Sequence, residues 1–157
     1  NVRAAEGAGH PGARACWEAG PGAFADLRAA PGFVAMPSDE QPWGPRVTPE
    51  FGDGRDVQTL SLWEDIESLF AASYSGSHLS AMKQRHEWFK PEESPSSVLW
   101  WVADNHTPTW AEACERHRLL HEHGPTASAF DFRRPFDQAG EAARVDHARV
   151  KDLSASQ

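Results

Sequence analysis

An α+β domain, with short strands alternating with amphipathic helices, is the fold class this sequence predicts. Three observations lead there. "DVQTLSLW" (56–63) alternates with the two-residue period of a strand. Ile66, Leu69, Phe70, Ser73 and Tyr74 follow the i, i+3, i+4, i+7, i+8 stripe of a helix directly after it. Thr109-Trp110-Ala111-Glu112, preceded by Pro108 and closed by Gly124-Pro125, marks both ends of a second long helix.

The elements run in chain order. Asn1 is not an initiator, so the numbering is expected to start inside a longer chain, with "NVRA" the remnant of a first strand. Residues 13–30 read as helical, with Cys16, Trp17, Phe24 and Leu27 apolar and Gly20-Pro21-Gly22 breaking or kinking the run. Pro31-Gly32 turns the chain into a short strand, "FVAMP". Residues 37–55 hold four Pro and three Gly among polar residues and read as a long irregular loop, either a lid or loose chain.

In the strand 56–63, Leu60 and Leu62 point to one side, which suits a helix-covered core. Val57, Thr59, Ser61 and Trp63 point to the other, where hydroxyls beside an indole suit a pocket wall. Glu64 and Asp65 are expected in the first helical turn, complementing the dipole. Gly76 stops that helix and Ser77 caps another, on which Leu79, Met82, His86 and Phe89 share one face and His78, Ala81, Arg85 and Trp88 an adjacent one. "SSVLWWVA" (96–103) reads as a strand covered on both faces, and "SAFDFRRPF" (128–136) as a last strand. The helix from Thr109 carries Trp110, Ala113, Cys114, His117 and Leu120 inward. Beyond Asp137 the chain is polar and Ala-rich, so residues 1–136 form the domain and 137–157 a peripheral helix or tail.

Without its extra pieces this order is β-α-β-β-α-β, a ferredoxin-like split unit with an antiparallel sheet. Helices on one face leave the other face bare, and a second copy of the same sheet is the simplest cover, so a homodimer is expected.

Bulk properties narrow the function classes. A chain of 157 residues fits one domain with a core of its own. A net charge of −8 argues against sequence-independent nucleic-acid binding and against docking on an anionic membrane. No apolar run approaches the ~20 residues that cross a bilayer. Cys16 and Cys114 form no spacing motif and read as reduced, helix-borne small hydrophobes. A cytoplasmic protein is expected.

Several residues carry possible chemistry. If the helices after Trp63 fold back over the sheet, His78 and Arg85 face a cavity walled by Trp63, Ser61, Thr59 and Trp88. His78 then moves a proton and Arg85 holds an anionic oxygen. The competing reading has His78 bonding within its turn and Arg85 paired to an acid such as Glu64 or Glu87. Tyr74 fits either the core or the pocket, the core reading being the stronger. Trp100 and Trp101 face opposite ways, and only one, assigned here to Trp101, can share a cavity with Trp63. His117, His121 and His123 have spacing that can hold a metal, but a core His beside surface ones explains them better, and no metal site is expected. No nucleophilic triad, phosphate loop or C-x-x-C is present.

Several separated motifs resemble one bacterial family, a domain of unknown function related to the dimeric α/β-barrel superfamily. They are Ser61-x-Trp63, Tyr74, His78, Arg85-x-Glu87-Trp88-Phe89, "LWWV", His106-x-Pro108-Thr109 with Glu112-Ala113, Gly124-Pro125-Thr126 and Ala129-Phe130-x-Phe132-Arg133. The resemblance spans about Pro31 to Phe136 and implies two ferredoxin-like sheets packed face to face in a dimer. The superfamily includes cofactor-free monooxygenases, haem-degrading enzymes, isomerases, cyclases and stress-response proteins, so fold leaves function open.

The expected function is therefore a small-molecule-binding enzyme of specialised metabolism, acting without a cofactor on an apolar or aromatic substrate. A non-catalytic binding or stress-response module is one alternative. Haem is the other: its degrading members carry an Asn on strand one, a Trp and a haem-ligating His, which Asn1, Trp63 and His78 would match, with Arg85, Lys83, Arg133 and Arg134 as the only cations for propionates. Under the haem alternative, haemin mixed with the protein gives a sharp Soret band that His78→Ala abolishes. No such band is expected under the cofactor-free reading.

Overall fold

A computed structural model describes residues 2–3, 22, 24–36, 56–74, 79 and 95–155. The architecture is α+β with antiparallel pairing. Strand β1 (Val2–Arg3) pairs with β3 (Asp56–Val57), and β2 (Phe33–Ala35) pairs with β4 (Leu62–Trp63). Among the described residues, helices α1 (Ile66–Ser73), α2 (Trp110–His123) and α3 (His147–Ala155) come after them. Residues 24–29 are also helical. The expected break at Gly20-Pro21, Cys16, Trp17, the loop 37–55 and the second helix of the pair after Trp63, apart from Leu79, lie outside the described residues.

The expected strand 56–63 is interrupted. Its two ends pair with different partners, and residues 58–61 between them form no ladder. Alternation nevertheless persists there: Gln58 and Leu60 are buried while Thr59 between them is exposed. The β2–β4 register places Phe33 opposite Trp63 and shifts before Ala35 reaches Leu62, the signature of a bulge.

Helix α1 begins one step later than expected. Asp65 is its N-cap rather than a first-turn residue, accepting a hydrogen bond from the Ser68 N–H at 2.7 Å, and Glu67 supplies the first-turn acid. Its buried face also differs from the expected stripe. Ser68, Ala71 and Ala72 are buried; Ile66, Leu69, Phe70 and Ser73 are half-buried; Tyr74 is 42% exposed. Close approach is the physical reason. Gly32 has a positive φ of 75°, and a Cβ there would lie 2.3 Å from Ser68 Oγ and 2.6 Å from Ser68 Cβ. Only small side chains fit between this turn and the helix, so bulk turns outward.

The outward face has its own cover. Phe70 meets Phe132 edge-on at 5.0 Å and His147 at 5.5 Å, and Tyr74 lies 4.6 Å from Phe70. Helix α3 thus docks on α1, with Arg149 paired to Asp65 and the Asp146 N–H donating to Glu67 Oε1. Helix α3 has no fully buried residue; Val150 and Leu153 are half-buried on it beside these polar contacts and the His147 ring edge.

The expected strands 96–103 and 128–136 reduce to single bridges. Leu99 and Phe130 exchange two backbone hydrogen bonds, and both are buried, Phe130 to 1% exposure. Beyond Phe130 the pairing breaks into isolated bridges, Asp131 with Arg134 and Phe136 with Ala142, and the Asp131 carboxylate accepts the N–H groups of Arg133 and Arg134 in the turn between the first two. Helix α2 matches its expected ends, with Thr109 Oγ1 accepting the Glu112 N–H and Gly124 closing at φ 70°. Of its expected inner stripe only Leu120 is buried; Trp110, Ala113, Cys114 and His117 are half-buried.

Gly32→Ala combines a left-handed backbone penalty with a steric clash and should lower the unfolding free energy by about 2–4 kcal/mol. Adding Ser68→Gly removes the clashing atoms and should recover part of that loss in chemical denaturation, whereas Ser68→Ala, which keeps its Cβ, should recover less.

Candidate functional site

Trp63 is the best-defined candidate side chain. Its indole Nε1–H donates to Ser61 Oγ at 2.8 Å, and Phe33 from the paired strand meets the ring edge-on at 5.4 Å and 84°. Both Trp63 and Ser61 are half-buried. Two residues apart on one extended segment, they share a side as the two-residue period requires. The hydroxyl therefore orients the indole, and the ring keeps part of its surface open. Thr59, on the same side by spacing, is exposed. Tyr74 sits apart from them in the Phe70–Phe132 cluster.

The tryptophan pair divides as its adjacency demands. Trp100 donates its Nε1–H to Glu112 Oε1 at 2.9 Å, reaching α2, and Trp101 donates to the Phe136 carbonyl at 2.8 Å. Both indoles thus tie distant segments of the chain together. His78, Arg85 and Trp88 lie outside the described residues.

A second constellation centres on Glu112. One carboxylate oxygen takes the Trp100 N–H, and the other lies 2.7 Å from His106 Nε2. Arg116 Nη2 stands 4.0 Å away and also uses Nη1 to hold the Ser128 carbonyl. Burial pushes the Glu112 carboxyl up, but the hydrogen bonds from His106 and Trp100, with the charge of His106, outweigh it and leave the pKa below its ordinary value. The arrangement can fix an imidazole by one nitrogen while the ring stays 46% exposed. Sequence reasoning gives Glu112 only a capping role. The signal that it does more is the co-occurrence of His106 and Glu112 in one motif, six residues apart.

His117 Nε2 is 2.7 Å from the Pro95 carbonyl, whereas His121 and His123 are exposed. Burial lowers the His117 pKa, opposed by the Pro95 carbonyl and aided by His121.

One family model matches this chain over residues 8–147, that of "Domain of unknown function (DUF3291)". The chain belongs to this family. The match covers most of the DUF3291 chain and ends at the first residue of α3, so the helix that docks on α1 lies almost wholly past it. No curated protein and no solved structure matches the chain. Among the described residues no helix is long and apolar enough to cross a membrane.

Two acid-sensitive steps are expected of this DUF3291 domain. Both groups have folded pKa values below their unfolded ones, so each favours the folded state above the unfolded value and loses that contribution as pH falls toward the folded one. For His117 the loss begins below the ordinary value of 6.5, and for Glu112 below 4.5. Thermal unfolding measured from pH 8 to 3 should show the midpoint falling in both windows. His117→Gln, which keeps a donor for the Pro95 carbonyl, should flatten the first decline, and Glu112→Gln the second.

Proposed function

We propose that this DUF3291 protein is a small-molecule-binding enzyme that acts without a cofactor on an apolar or aromatic organic substrate, by monooxygenase, isomerase or cyclase-type chemistry. The observation that carries the reading is the fixed indole of Trp63, oriented by Ser61 and Phe33 yet only half-buried. An aromatic surface locked in one orientation is what a rigid apolar ligand needs, because little side-chain entropy is lost when it binds.

In this reading His78 transfers a proton and Arg85 steadies developing negative charge, while Trp88 and Trp101 complete the apolar lining. The ferredoxin-like sheet and a homodimer of dimeric α/β-barrel type belong to the same proposal. Val34, 51% exposed at the centre of β2, supports an apolar face available for a second copy.

The test uses purified protein and its natural substrate once genetic neighbours suggest one. His78→Ala should abolish turnover while the thermal midpoint stays within a few degrees of the parent. Trp63→Ala should weaken binding about tenfold or more, since a buried aromatic contact is worth on the order of 1–3 kcal/mol. Unchanged turnover in His78→Ala would remove the proton-transfer role. Binding without any turnover would favour a non-catalytic module.

A further inference from the structure

Gln58 sits in the unpaired stretch between β3 and β4 and is only 5% exposed. Its side-chain oxygen, Oε1, is out of contact with water and has no hydrogen-bond partner among the described residues. Burying an amide oxygen unsatisfied costs on the order of 1–3 kcal/mol, whereas an apolar side chain of the same shape carries no such cost. Leu60, two residues on and buried to 6% exposure, shows what the interior accepts at this side of the strand. Thr59 between them faces outward. A polar acceptor kept where a leucine or methionine would pack better asks for a donor.

We propose that Gln58 is a ligand-recognition residue, its Oε1 accepting a hydrogen bond from a hydroxyl or N–H of an uncharged, otherwise apolar organic molecule bound on the interior side of strand segment 58–60. The inference rests on the small-molecule reading above and adds a polar contact to it from the face of the segment opposite Ser61 and Trp63. The unpartnered oxygen is an acceptor, and an anion brings it no donor. A cation is disfavoured because the buried position offers it one neutral oxygen in exchange for its hydration shell. A neutral donor on an apolar body is the remaining chemistry.

The experiment compares phenol with anisole, which has the same ring without the donor, on the full chain and on Gln58→Met. Binding is followed through the indole N–H resonances of the tryptophans. Phenol should bind the parent about three- to tenfold more tightly than anisole, the worth of one neutral hydrogen bond, and Gln58→Met should bind the two equally. In the absence of ligand, Gln58→Met should melt at or above the parent temperature. Equal binding of both probes to the parent overturns the Gln58 proposal and leaves the small-molecule reading standing. A preference for phenol that survives in Gln58→Met overturns it as well. A fall in melting temperature of more than about 4 °C in Gln58→Met shows the amide to be already satisfied, and the proposal fails. Failure of both probes to perturb any indole up to their solubility limits counts against both the proposal and the reading beneath it.

Discussion

The contact between the Gly32 turn and Ser68 is the constraint on which the rest of the described fold depends. A positive φ at Gly32 reverses the chain into β2, and its carbonyl accepts the Glu64 N–H at 2.8 Å, closing the β2–β4 pair just where α1 begins. The missing Cβ lets α1 approach until Ser68, Ala71 and Ala72 are buried. Once the small face is inside, Phe70 and Tyr74 have nowhere to go but out, and Phe132 and α3 gather over them. Phe33, one residue after the turn, is thereby set opposite Trp63. The orientation of the candidate indole thus depends on the glycine that precedes its ring partner.

Asp65 links that contact to the chain's far end. One carboxylate oxygen caps α1 and the other pairs with Arg149 of α3. The cap is local and the pair is long-range, so a single side chain couples helix initiation to docking of a segment past the family match. Glu112 plays the corresponding part in the other half, where one carboxylate joins the Trp100 segment, the His106 loop and α2. In both cases a carboxylate at a helix N-terminus is stabilised by the dipole and by neighbouring donors, which is why it tolerates partial burial.

The sequence is most legible where one local rule decides the outcome. Thr109 to Gly124 reads directly as a helix because cap, first-turn acid and closing glycine all agree. The shared side of Ser61 and Trp63 comes from the strand period alone. The inner face of α1 is misread from sequence because large apolar residues define a stripe more loudly than Ser68, Ala71 and Ala72. Only the distant Gly32 makes smallness the asset. The strand expected over 128–136 fails differently: Phe130 and Phe132 alternate correctly, but the pairing breaks into isolated bridges around a turn whose N–H groups the Asp131 carboxylate accepts. Glu112 is legible as a cap but hardly as a hub: His106 shares its motif, whereas the chain's path alone brings Trp100 to it.

The same distinction bears on where a ligand would lie. Mixed hydroxyls and an indole on one side of 57–63 suggest a pocket wall there, yet Thr59 on that side meets solvent and Gln58 on the other does not. Polarity in a sequence marks a residue that needs a partner without saying whether the partner is water. For Thr59 it is available as water; for Gln58 the fold has removed that option without supplying another among the described residues. Trp63 and Ser61 share the side of Thr59, and Gln58 shares the side of Leu60, so the segment contributes an interior amide to one face and a half-open indole to the other.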